Sequence, residues 1–87
     1  MAVEVPAVYP NPAQYNINVE VIADIGDPIE LSLINIHGQE VKHQVYEANT
    51  NGSNIVTLPV DEIGNGMYQI KVKKGYGFQF KKVMIRK

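Results

Sequence analysis

The chain has no cysteine and no tryptophan. Without cysteine there is no disulfide, no thiolate nucleophile and no cysteine-ligated zinc. That absence leaves the compartment open, because exported bacterial proteins also dispense with cysteine. Without tryptophan, and with Tyr9, Tyr15, Tyr46 and Tyr76 scattered among expected turns and strands, a sugar-stacking platform is poorly supplied. Histidine is limited to His37 and His43, and serine to Ser32 and Ser53. His37 sits beside Gly38 in a turn and His43 falls mid-strand, so both read as surface residues rather than bases or ligands. Ser53 lies in a Gly-Asn turn, and nothing around it marks a nucleophile elbow. Asp24 and Asp27 share a loop without EF-hand spacing and read as turn formers. No catalytic residue, metal ligand or cofactor site is assigned, and the chain is expected not to be an enzyme. No run approaches the ~20 apolar residues of a membrane-spanning helix. The opening Met1-Ala-Val-Glu-Val-Pro6 lacks the basic and apolar regions of a signal peptide.

Carboxylates are missing from the last 25 residues, Ile63 to Lys87. That stretch holds seven cations: Lys71, Lys73, Lys74, Lys81, Lys82, Arg86 and Lys87. All nine acids precede it, opposed only by Lys42, so a formal charge of −8 is followed by one of +7. The net charge of −1 hides this division. Nucleic acid is a poor partner, since the acidic remainder repels phosphate and no reader motif is present. A basic strand at the chain end reads either as a recognition label or as a solvated strand face.

At 87 residues, the length allows one small domain with a limited core. Alternation with period two dominates, and no stretch sustains a helical period. Tyr15–Ile22 places Ile17, Val19 and Val21 on one face. Ala23–Pro28 is turn chemistry, and Ile29, Leu31 and Leu33 face inward on the next strand. After His37-Gly38, the strand Glu40–Ala48 is expected to turn Val41 and Val45 inward. Asn51-Gly52 suits a hairpin turn, followed by a strand with Val56 and Leu58 inward. Asp61–Gly66 is a corner, and Met67–Lys74 turns Tyr68, Ile70 and Val72 inward. The last strand, Phe78–Arg86, shifts phase between Phe78/Phe80 and Val83/Ile85, which predicts a bulge near Lys81-Lys82. Lys81 and Lys82 are both expected to face water. With a short strand around Val3–Tyr9, about seven strands argue for an all-β, immunoglobulin-like antiparallel sandwich rather than a closed barrel.

Within Ile63-Gly-Asn-Gly-Met-Tyr68-Gln-Ile70, a glycine stands two residues before a tyrosine and an apolar residue two after it. That pattern fits the tyrosine corner of the sixth strand in immunoglobulin-like domains, where the hydroxyl bonds back to upstream backbone. Two further segments stand in order with it: Val8-Tyr-Pro-Asn-Pro-Ala13 near the start and Ile34-Asn-Ile-His-Gly-Gln-Glu-Val41 in the middle. After the corner come a short glycine turn and Lys81-Lys-Val-Met-Ile-Arg-Lys87. This series resembles the C-terminal sorting domain of proteins exported by the type IX secretion system of Bacteroidetes-type bacteria. Two positions depart from the pattern: Ile63 replaces the usual leucine, and Gly64 loosens the corner.

The resemblance covers Val8 to Lys87. It implies that residues 1–87 form a single sorting domain, with the cargo domain on its N-terminal side. It implies transit through the periplasm, then delivery to the cell surface or medium. The implied partners are the outer-membrane type IX translocon, its shuttle components and a sortase that commonly removes the domain. The implied recognition residues are Pro10, Asn11, Pro12, Gly38, Gly66, Tyr68, Lys81, Lys82, Val83, Ile85 and Lys87. Oligomeric state is left open. The alternative reading is an accessory sandwich of a secreted hydrolase, either carbohydrate-binding or a spacer.

Overall fold

Period-two alternation becomes seven strands in a computed structural model that describes residues 3–87. Met1 and Ala2, part of the opening read for a signal peptide, lie outside the described residues. The strands are β1 (Ala7–Tyr9), β2 (Asn16–Ala23), β3 (Pro28–Ile34), β4 (Glu40–Glu47), β5 (Gly52–Pro59), β6 (Gly66–Lys74) and β7 (Gly77–Ile85). They form two antiparallel sheets, ordered β1-β2-β5 and β4-β3-β6-β7. Both sheets are open, so the sandwich reading holds over the barrel. Short turns join β3 to β4 and β6 to β7 within one sheet. The connections β2–β3, β4–β5 and β5–β6 cross between sheets.

The inward faces meet in one apolar layer. Ile17, Val19 and Val21 of β2, with Val56 and Leu58 of β5, cover Ile29, Leu31 and Leu33 of β3. Ile70 and Val72 of β6 and Val83 and Ile85 of β7 complete it. Each fully buried aliphatic side chain is worth roughly 1.5–3 kcal/mol. This layer is therefore what drives the two sheets together. The inward set expected for β2, β3, β5 and β6 is the set observed.

Strand β4 has the opposite phase to the expected one. Val41 and Val45 are 41% and 58% exposed, and Lys42, Gln44 and Tyr46 face the interior instead. The reason is register. Ile29 pairs with Tyr46 and Leu33 with Lys42, and residues directly opposite share a face. An offset of one residue swaps the faces of a strand. The β3–β4 register shifts between Leu33 and Ile34, so the bulge lies there, beside Val41. None lies at Lys81-Lys82: the β6–β7 register runs unbroken from Gly66↔Ile85 to Lys74↔Gly77. Phe78 and Phe80 simply face outward, 56% and 44% exposed, packed edge to face. Neighbours on a strand point to opposite faces, so Lys82 is exposed whereas Lys81 turns inward and is half-buried. Asn51-Gly52 does not close a hairpin, because β4 and β5 belong to different sheets. Its Asn51 Oδ1 accepts from Ile25 N (2.9 Å) and ties two crossings together.

Two substitutions test the corrected phase by chemical denaturation. Ile29→Ala is expected to cost ~2–5 kcal/mol, the range for truncating a buried aliphatic residue. Val45→Ala is expected to stay within about 0.5 kcal/mol, as an exposed position does. Comparable losses at the two sites would mean that β4 packs in the other phase.

Candidate functional site

Proline lacks an N–H, so the segment Pro10-Asn11-Pro12 has few ways to bond its surroundings. The work falls to Asn11 and Ala13. The Tyr9–Pro10 and Asn11–Pro12 peptides are cis. Beyond them the chain leaves the three-stranded sheet and lies parallel to the end of β7, where Ala13 bridges Ile85. Asn11 Oδ1 accepts from Met84 N (3.0 Å). Ala13 N donates to Met84 O (2.8 Å), and Arg86 N donates to Ala13 O (2.9 Å). The first motif and the last strand are therefore one structural unit.

The corner before β6 joins that unit. The Tyr68 ring packs against the core, and its hydroxyl donates to Gly64 O (2.9 Å), as a tyrosine corner requires. Ile63 packs there too, so isoleucine fills the place of leucine. Gly66 pairs with Ile85 and Tyr68 with Val83, so the corner reads directly onto the last strand. Lys87 closes the ring of contacts. Its N–H donates to Asn65 Oδ1 (3.0 Å), and its ammonium donates to the carbonyls of Asp61 and Ile63. Lys87 thus anchors the corner, and its charge is spent on carbonyl oxygens.

Gly38 reaches the same end from the β3–β4 turn, where its φ of +80° suits glycine. Asn35 organises that turn: its Oδ1 accepts from His37 N (2.9 Å) and Gln39 N (3.0 Å). Between the turn and the corner lies a groove of about 430 Å³, lined by Ile34, Gly38, Met67, Tyr68 and Lys82, among others. Residues far apart in sequence thus share one surface. Pro10 and Pro12 lie outside the groove, on the far side of β7's end. Lys81 is turned away from it by the strand alternation.

The basic tail is less free than its sequence implies. Lys74 Nζ donates to Ile22 O across the sheets (3.1 Å). Lys73 lies 3.8 Å from Glu30, which also meets His43 Nε2 at 3.3 Å. Lys71 sits over the Phe78 ring, 5.0 Å from its centroid. Lys81, Lys82 and Arg86 make no side-chain hydrogen bond or ion pair among the described residues. Half-buried Tyr46 donates its hydroxyl to Thr57 O across the sheets, at the exposed edge of β5, and this partial burial pushes its pKa up.

Sequence reading missed the asparagines. Asn35 and Asn65 hold the two turns at this end, and the buried Asn54 holds the β4–β5 crossing through Asn49 N, Thr50 N and Gly52 O. The available signal was asparagine in turn-forming segments that also carry glycine, where its side chain substitutes for backbone.

These connected motifs are matched as a whole by one family profile. The secretion system C-terminal sorting domain profile covers residues 7–86. The chain belongs to that family. No curated protein matches it. The sorting domain is the signal that carries a protein out by type IX secretion, to the cell surface or the medium, and it engages the secretion machinery. The match decides against the accessory-module alternative. Among the described residues, no helix is long and apolar enough to cross a membrane.

Tyr68→Phe removes one hydrogen bond whose acceptor, Gly64 O, lies in an exposed loop and can be rehydrated. The expected loss is therefore ~0.5–1.5 kcal/mol, the net value of one such bond, rather than that of an orphaned buried group. Urea denaturation of the single variant measures it. A loss well above that range would place the carbonyl out of reach of water.

Proposed function

We propose that the machinery recognises this sorting domain at the end of the sandwich where its motifs meet. The observation that carries the reading is the clamp of Asn11 and Ala13 on Met84 and Arg86, with Lys87 locked to the corner. That clamp gives Pro10, Asn11, Pro12, Gly66, Tyr68, Val83, Ile85 and Lys87 one fixed arrangement. Gly38 and Lys82 add the adjoining groove. Val83 and Ile85 are buried, so they act by holding the surface in shape. Lys82 is the exposed cation that a partner meets, while Lys81 contributes charge from the inner side of the edge.

In this reading a cargo domain precedes the sorting domain. The folded domain passes through the periplasm and is taken up by the outer-membrane translocon and its shuttle components. A surface sortase then removes it. The domain itself catalyses nothing. A preformed rigid surface suits this role, because recognition then costs little ordering entropy.

The test is a reporter with an export signal, fused ahead of this domain, in a host that carries the type IX system. The reporter is expected at the surface or in the medium, against periplasmic retention without the domain. Equal retention in both would overturn the reading. Within the same assay, Lys82→Glu is expected to leave stability within about 0.5 kcal/mol, as for an exposed side chain. It is expected to lower export, because the reversed charge is repelled by an acidic partner at contact. Undiminished export would return Lys82 to the role of a solvated lysine on a strand face.

A further inference from the structure

Each sheet has two edges, and the four are not treated alike. Strand β1 is three residues long. Strand β5 is met at Thr57 O by the Tyr46 hydroxyl and ends at Pro59. Strand β4 carries its register shift only at its first residues, beside Val41, and Glu40 and Glu47 flank the regular stretch that follows, where they repel an acid-ended strand. Strand β7 is nine residues long and unbroken in register.

The backbone of β7 alternates between its two sides. Met84 N and O and Arg86 N point away from β6, since they bond Asn11 and Ala13. N–H and C=O directions repeat every second residue along an antiparallel strand. With no register break, the N–H and C=O groups of Phe78, Phe80 and Lys82 point the same way. They have no backbone partner among the described residues. The N-terminal segment thus occupies the far end of this edge and stops at Asn11. From Gly77 to Lys82, roughly 20 Å of strand is left open.

We infer that this open half of β7 is a docking edge for an extended strand of a partner protein, one that alternates apolar residues and carries carboxylates at its end. The identification rests on what flanks the edge. Phe78 and Phe80 stand on the outer face, with Lys71 over the Phe78 ring. Lys82 lies on the outer face and Lys81 on the inner, both without an anionic partner among the described residues. An added strand gains main-chain bonds from the edge and selectivity from side-chain positions. Apolar side chains fit opposite Phe78 and Phe80, and carboxylates opposite Lys81 and Lys82. The same lysines reject basic strands, which is a common protection against indiscriminate pairing. The edge meets the surface proposed above only at Lys82 and runs from there toward the β6–β7 turn, so it does not depend on the sorting reading.

The first test uses the domain alone. Its probe is a synthetic peptide of alternating Val and Thr with a pair of Glu at each end, which fits either strand direction. Titration followed by amide NMR is expected to saturate, with the largest shifts at the N–H groups of Phe78, Phe80 and Lys82. Replacing Glu by Lys in the peptide is expected to weaken binding about tenfold or more. No saturation, or shifts that track lysine side chains elsewhere, would overturn the inference. Strand β4 is itself bounded by Glu40 and Glu47, so self-association is measured by sedimentation. Dimers or filaments formed through β7 would assign the edge to a second copy and also overturn it.

The second test uses the exported fusion. Phe80→Pro removes only an outward N–H, so the β6–β7 ladder keeps its bonds, whereas Phe80→Ala keeps the N–H and removes the ring. Folded Phe80→Pro is expected to lose about tenfold or more of export while Phe80→Ala loses far less. Equal export by folded Phe80→Pro and the parent would overturn the role in export. If Phe80→Pro does not fold, Lys82→Pro with Lys82→Ala as control repeats the comparison. Should neither fold, the peptide titration of the parent domain decides. Failure of the parent fusion to export, with peptide binding intact, would strike the sorting proposal and leave the edge standing.

Discussion

Ala13 makes the contact on which the arrangement of this domain depends. Its side chain is fully buried, and its N–H and C=O straddle Ile85 by bonding Met84 and Arg86. Through that bridge the chain passes from one sheet to the other, so both sheets share a strand segment. The end of β7 is thereby gripped from both sides, by β6 on one and by the Asn11–Ala13 segment on the other. Without the grip, β7 is a bare edge along its whole length, and the buried Val83 and Ile85 lose a neighbour. The two prolines place this bond well. They have no N–H to satisfy, so the segment needs few partners until Asn11 supplies an acceptor from its side chain.

The clamp and the corner are mechanically one object. Lys87 donates to carbonyls of the corner, Tyr68 ties the corner to the start of β6, and β6 pairs with β7 back to the clamp. Disturbing any member shifts the others, because each uses backbone groups of the next. Motifs that look separate in sequence are therefore energetically coupled. Non-additive effects are the expected signature of such a group of contacting residues.

Much of this was legible because the physics was local. Strand identity, the inward faces of β2, β3, β5 and β6, and the tyrosine corner follow from alternation and from short spacing around glycine. What failed depended on register. Val41 and Val45 alternate properly, but alternation does not say which face is inner. The pairing of Ile29 with Tyr46 decides that, and only the β3 partner sets it. Phe78 and Phe80 misled for a related reason, since large aromatic rings suggest burial. Here the unbroken β6–β7 register puts them on the face opposite Val83 and Ile85, and the rings stay outside with Lys71 and each other. Asn35, Asn54 and Asn65 sit in segments with turn chemistry, but their partners were not legible because they lie in loops whose path the sequence does not specify.

The charge division survives folding, but in altered form. Of the seven tail cations, Lys74 and Lys87 bind carbonyl oxygens and Lys73 faces Glu30. Lys71 lies against an aromatic ring. Four cations are thus engaged by the domain itself, and an exposed pair such as Lys73–Glu30 adds little stability. Lys81, Lys82 and Arg86 are left, all on β7 or its end. Glu40 and Glu47 stand on β4, the opposite edge of the same four-stranded sheet. The sheet is therefore polarised from edge to edge, with the straight edge basic and the bulged edge flanked by acids. Screening limits such a field to about 8 Å at physiological salt. It acts as a local selector of what approaches β7 rather than as a long-range beacon. The basic tail matters less for its total charge than for the few cations that folding leaves beside an unpaired backbone.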